Sequence, residues 1–178
     1  MLEAFGRWTG MELSTRAQAL LPLAHMPDLA RLPLVVAIAD REGRFLTDAE
    51  LAQLPERYRA EARALREQAS VLVEQARAEV LAQFPGIAGP GGDLYPEARA
   101  AACWRDLWHF LRCIAYTVAA DCPDAFEEPG LAAMAALYRE LRVPLPAMVV
   151  GVQALQHHSP TSLTPFFAAA LQRLARFA

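Results

Sequence analysis

Apolar residues recur along one stretch of the chain at Tyr58, Ala62, Leu65, Ala69, Leu72 (or Val73), Ala76 and Val80. Steps of three and four residues place them on one stripe of an α-helix and leave Glu, Arg and Gln for the solvated side. The spacing predicts one long helix over 56–83. The period-two alternation of a strand is missing except in a short 34–38 run, so the fold class expected is all-α.

Proline and glycine punctuate the rest of the helical pattern. Pro22, Pro27 and Pro33 cut the beginning of the chain into a short amphipathic piece at 13–21 and an irregular connection. A helix and turn over 34–46 follow, with Arg41-Glu42-Gly43-Arg44 as the turn. Thr47 and Glu50 then form a capping box, in which side chain and backbone satisfy each other's exposed groups at a helix start. Residues 86–96 hold four glycines and Pro90 and read as one long loop, a length that in a compact domain is frequently functional. A second long helix is expected over 96–120, then helices at 130–142 and 146–157. A final helix begins near Ser162, with Phe166, Phe167, Ala170, Leu174 and Phe177 facing the core.

Composition narrows the function classes. The 178 residues carry a net charge of −3, which leaves no cationic excess for a phosphate backbone and predicts no nucleic-acid partner. All 17 basic residues are arginine; lysine and asparagine are absent, so lysine chemistry is excluded. Cys103, Cys113 and Cys122 show neither a disulfide framework nor zinc-ligand spacing, so a reducing cytoplasm is expected and no metal site. The opening residues carry Glu3 and Glu12, and nowhere are there 18 consecutive apolar residues, so no secretory leader and no membrane span are expected.

Chemistry concentrates between residues 101 and 116, AACWRDLWHFLRCIAY. On a helix, Cys103 and Asp106 are i,i+3 neighbours, placing a thiol and a carboxylate on one face beside Leu107, Phe110 and Ile114. Arg105, His109, Arg112 and Tyr116 form an adjacent polar stripe. Two readings stand at this point. A cysteine after two alanines serves as a small core hydrophobe, and an Arg/His/Arg/Tyr stripe serves as a solvated or interface face; or the same residues bind a ligand. No nucleophile, paired carboxylate or phosphate loop accompanies Asp106 and His109, so an enzyme is not expected.

The stretch resembles the phycobiliprotein family, the globin-like bilin carriers of phycobilisomes. Cys103-Trp104-Arg105-Asp106 looks like that family's Cys-x-Arg-Asp attachment signature, and Leu111-Arg112 followed by Tyr116 looks like its Leu-Arg-x-x-x-Tyr continuation. Ala39-Asp40 with the 43–47 segment, Phe84-Pro85, Met134-x-x-x-Tyr138-x-x-Leu141 and the run from Pro144 to Val152 are similar to further family segments in the same order. The resemblance covers residues 34–178. It implies a globin-like, phycobiliprotein-type fold over 34–178, preceded by an N-terminal helical interface extension at 1–33.

The resemblance also implies a cofactor and partners. The cofactor is one bilin, a linear tetrapyrrole of the phycocyanobilin or biliverdin type, with Cys103 as the thioether position. Arg105 would meet a ring propionate and Asp106 would accept from the central pyrrole N–H groups. Trp104, His109 and Phe110 complete the expected binding set, the aromatics as stacking surface. Asp40 and Arg112, with Tyr116 beside them, match charges that pair across the family's two-chain interface, so a homodimer or a paired phycobiliprotein-like subunit is expected. The leader at 1–33 would pack on that partner. Several features depart from the antenna pattern: alanines precede Cys103, the 40–85 region is short, no second attachment cysteine follows Pro144, and arginine wholly replaces lysine. They resemble the divergent bilin biosynthesis-associated globins, which would carry or hand over one bilin beside the enzymes that make it. The alternatives are a light-harvesting antenna subunit, and a haem-binding or ligand-free globin-like assembly protein. Haem needs an axial ligand, and His109 is the one histidine on a long helix, on its polar stripe.

Overall fold

The computed structural model of the chain describes residues 13–177. Glu3 and Glu12, and the rest of the leader before residue 13, lie outside the described residues. Nine α-helices form among the described residues: α1 (Thr15–Leu20), α2 (Leu34–Arg41), α3 (Asp48–Leu51), α4 (Arg59–Glu67), α5 (Ala69–Gln83), α6 (Glu97–Ala119), α7 (Glu128–Glu140), α8 (Leu145–His157) and α9 (Thr164–Ala175), the last preceded by a 3-10 turn, Thr161–Leu163. No strand occurs among them, and none of these helices is long and apolar enough to cross a membrane. The all-α expectation holds.

The long helix expected over 56–83 is two helices. Gln68 sits between α4 and α5 with φ −96° and ψ 3°, outside helical geometry. The stripe nevertheless survives the break: Ala62, Leu65, Ala69, Leu72, Ala76 and Val80 are all buried. A stripe predicts the buried face and is blind to a local bend that keeps that face in register. At the start of α3 the capping box forms as expected, Thr47 accepting from the Glu50 N–H while Glu50 accepts from the Thr47 N–H at 2.8 Å. Arg44 grips the same Glu50 carboxylate with both terminal nitrogens, and these hydrogen bonds hold its pKa down at about 2.

Helix α6 runs through the middle of the molecule. Ten consecutive residues, 110–119, are buried, so this segment is covered all round rather than along one stripe. Helices α4, α5, α8 and α9 pack against it, and α5 packs most extensively on α8. Gly151 on α8 permits the close approach to α6, since a Cβ there would lie 2.5 Å from Leu107 Cδ2.

The described part of the leader lies across α7. Ser14 caps α1 and donates to Glu140 at 2.6 Å, and Ala17, Met26 and Leu32 are buried. Two backbone hydrogen bonds, from the Asp28 N–H to the Ala125 carbonyl and from the Glu127 N–H to the Met26 carbonyl, tie its middle to the start of α7. Gly130 admits it, because a Cβ there would meet the His25 carbonyl at 2.5 Å. Over residues 13–33 the segment thus packs on its own α7. Its Leu21, Met26 and Leu32 are buried within the chain, while Leu23 stays 58% exposed.

The candidate ligand cleft and the buried charges of the central helix

The leader, α6 and α7 enclose a cavity of about 220 Å³. Its floor is the α6 face bearing Arg105, Asp106, His109, Phe110, Arg112 and Cys113. Met134 and Tyr138 come from α7, and Leu21, His25, Met26 and Pro27 form the outer wall. Of the residues singled out for binding, Arg105, Asp106, His109 and Phe110 meet here. Cys103 and Trp104 do not line the cavity. Cys103 is 1% exposed in the hydrophobic core, and Trp104 turns toward α5, where the Arg77 guanidinium lies 5.7 Å from its ring centre.

Asp106 dominates the electrostatics of the cleft. It is buried, and Tyr138 donates to its Oδ2 at 2.9 Å. Removal from water raises the carboxyl pKa to about 6, against the smaller downward pull of the Tyr138 hydrogen bond and the Arg105 charge. Burial disfavours the charged form of any group, and one neutral donor offsets only part of that. The same carboxylate and its own burial drive the Tyr138 hydroxyl well above its ordinary value. Cys103, one turn earlier, is pushed up to about 12 by burial, with Asp106 adding to the effect.

His109 reaches the same cavity. Burial, with Arg112 and Arg105 adding, lowers its pKa to about 4, so the ring is neutral near pH 7. Among the described residues its Nδ1 has no hydrogen-bond partner. The stripe of Arg105, His109, Arg112 and Tyr116, readable as a solvated face, therefore turns inward along much of its length. Arg112 and Tyr116 are 1% and 0% exposed.

The charges expected to pair between two chains pair within one. Arg112 Nη2 lies 3.1 Å from Asp40 Oδ1, Arg112 Nη1 donates to the Tyr116 hydroxyl at 2.7 Å, and that hydroxyl donates to the Arg44 carbonyl. Helix α2 ends beside the middle of α6 and delivers Asp40 to Arg112 of the same chain. Within the chain, Asp40, Arg112 and Tyr116 thus close a buried clamp between α2 and α6. The 86–96 loop, flagged by its length, contributes nothing to the cleft. It folds on itself, with Leu94 buried and its N–H bonded to the Ile87 carbonyl at 2.8 Å.

Tyr138 and the leader wall are the site residues that sequence reasoning did not assign. A helical tyrosine facing the core needs a hydroxyl partner, which was the available signal for Tyr138. For His25 and Met26 no local signal exists.

A helical fold wrapped on one buried central helix, with an acid, an arginine and aromatics facing a cleft, defines a globin-like class of protein. Comparison with known proteins makes this narrower. The family described as "Phycobilisome protein" matches residues 34–174. Allophycocyanin alpha chain 2 of Microchaete diplosiphon is 33% identical over 132 residues, 71% of this chain and 82% of that protein. The allophycocyanin alpha chain of Thermosynechococcus vestitus is 33% identical over 67% of this chain and 78% of its own. A far-red fluorescent biliprotein derived from an allophycocyanin F subunit of Chroococcidiopsis thermalis shares the fold, with a TM-score of 0.58 at 22% identity over 74% of this chain and 97% of that one. The chain belongs to the phycobilisome protein family.

Proposed function

We propose that this chain binds one bilin in the cleft between the leader, α6 and α7, and that it carries and hands over the pigment in the cytoplasm rather than fixing it as an antenna. The observation that carries the binding is Asp106: a buried carboxylate with its pKa raised to about 6 and one neutral donor, Tyr138. A cation or a row of N–H donors entering the cavity would supply the partner that its surroundings leave short. A linear tetrapyrrole supplies pyrrole N–H groups there and, when bound, the red absorption by which it is detected. Arg105, at the same wall, has the fork geometry to hold a propionate. Phe110 offers a ring face, and His109 brings a neutral imidazole with an open Nδ1.

Two observations favour carrying over permanent attachment. A thiol pushed up to about 12 leaves about one thiolate in 10⁵ at pH 7, a poor nucleophile. Cys103 is also closed off in the core. Addition of its S–H across an ethylidene double bond, with the proton passing to carbon, would require the cleft to open first. The cavity itself, about 220 Å³, is smaller than the ~300–1,000 Å³ of ordinary ligand pockets. Its leader wall is the segment whose outward movement would enlarge it. Bilin-synthesising enzymes are the partners this reading implies, alongside a second copy or a paired phycobiliprotein-like subunit. The second reading, an antenna subunit, draws its support from the 33% identity to allophycocyanin alpha chains.

Co-expression with haem oxygenase and a bilin reductase tests both. Pigment present in the native protein and lost on acid-urea denaturation is the expected result. Zinc-induced fluorescence retained in the denatured band, and abolished by Cys103→Ala, would favour the antenna reading. A haem Soret band, or no chromophore at all, overturns bilin binding.

A further inference from the structure

Outside the cleft, Glu79 of α5 meets two histidines at the end of α8. His157 is the last residue of α8 and His158 is its C-cap. The Glu79 carboxylate oxygen Oε1 lies 2.6 Å from His158 Nε2 and 3.4 Å from His157 Nδ1. One ligand atom from each of the three residues lies within 4.8 Å of the other two. We propose that Glu79, His157 and His158 form a divalent transition-metal site, with zinc as the metal that fits the donor set.

The geometry exceeds what an ion pair needs. Consecutive helical residues point about 100° apart, yet the two imidazole rings here lie 5.0 Å apart, tilted by 32°. The helix ends between them, and His158, at φ −85° and ψ 0°, turns its ring back toward the same carboxylate. One histidine would complete a surface pair with Glu79; the second converges on the same oxygen. Ligands held ~2.0–2.1 Å from a tetrahedral zinc lie about 3.3 Å from one another. The Glu79–His157 separation already matches that edge, and the Glu79–His158 contact would open by a fraction of an ångström. Two imidazoles and one carboxylate suit zinc and its neighbours and not calcium or magnesium, which take oxygen ligands. The His157 side chain is 76% exposed, so a fourth position is open to water. The three ligands bridge α5 and α8, so bound metal would tie together two helices that pack closely on each other.

Pigment-free full-length chain titrated with Zn²⁺ by calorimetry is expected to take up one ion per chain, with a rise in Tm as excess metal is added. Co²⁺ in its place should give tetrahedral d–d bands without thiolate charge transfer. Glu79→Gln, His157→Gln and His158→Gln should each weaken binding by at least about 10-fold. Cys122→Ser, which removes a half-buried thiol, should leave it unchanged. No saturable uptake, uptake unchanged in Glu79→Gln, or uptake lost with Cys122→Ser overturns the site. Glu79 stands outside the cleft, so the bilin reading can fail while this one holds, and the reverse.

Discussion

Two buried charged groups sit six residues apart on α6, and their surroundings differ in kind. Arg112 has an acid, Asp40, at 3.1 Å and the Tyr116 hydroxyl at 2.7 Å. Asp106 has one neutral donor at 2.9 Å, too little to offset its burial, which raises its pKa to about 6. The first charge is matched inside the chain, so it fastens α2 to α6. Both line the cavity, but the second is under-compensated there, and a folded chain retains such a cost most readily where a ligand removes it. Burial alone therefore does not separate scaffold from site; the sign and number of the partners do.

The largest effect should come from the matched pair. Arg112→Met keeps the apolar stem, removes the charge and leaves Asp40 facing a buried gap. Losing one partner of a buried pair costs ~3–5 kcal/mol. Urea denaturation should show a loss of that size, with the fold itself at risk. A loss below ~1 kcal/mol, the level of an exposed pair, would mean that Asp40 and Arg112 are solvated in solution rather than held in a buried clamp.

Asp106→Asn should act in the opposite direction in the absence of pigment. An acid whose folded pKa is raised is stable in the fold while protonated and loses that stability as it ionises. The contribution is therefore complete below the unfolded value near 3.8, falls between 3.8 and about 6, and is gone above. One pKa unit is ~1.4 kcal/mol, so the asparagine variant should gain up to ~3 kcal/mol over the parent between pH 4 and pH 7. Stability measured at several pH values for both proteins reads this directly. Bound pigment should shrink the gap, and a gap flat with pH would remove Asp106 from the class of strained charges.

These contrasts were only partly visible in the amino-acid sequence. The buried face of α4 and α5, the capping box at Thr47 and the inward turn of Cys103 and Asp106 all follow from spacing, because each depends on residues within one or two helical turns. The bend at Gln68 was hidden, since it leaves the stripe intact. The intrachain contact of Arg112 with Asp40 was hidden because helical spacing says which stripe a side chain joins and not which element covers it. The leader wall was hidden for a similar reason: His25 and Met26 lie about 80 residues from Asp106 in sequence. Only the docking of the leader on α7, through Gly130 and the Ala125–Glu127 backbone, brings them to the cleft. Cys103 was legible as a buried thiol and as a signature residue; its exclusion from the cavity needed the rotation of α6 relative to α7.

The smallest effects should separate the two clusters most cleanly, because the same change can be made in each. Tyr138→Phe and Tyr116→Phe each delete one buried hydroxyl bonded to a charged group. Tyr138 donates to Asp106, so its loss removes a bond that favours the ionised acid. At pH 7 the cost should be about 1.5 kcal/mol, as for a hydrogen bond to a charge, and it should fade as pH falls and Asp106 takes up its proton. The pH at which the Asp106 penalty becomes complete should also move upward, since burial is then opposed by less. Tyr116 accepts from Arg112 and donates to the Arg44 carbonyl. Its removal leaves Arg112 still paired with Asp40, so a cost of about 1 kcal/mol is expected, constant from pH 5 to pH 8 because arginine does not titrate there. Denaturation of both variants across that range gives two slopes to compare. A sloping Tyr138→Phe difference beside a flat Tyr116→Phe difference assigns the titrating charge to the cleft. If both are flat, Asp106 is ionised or neutral throughout, and the argument that it awaits a positively charged partner loses its basis.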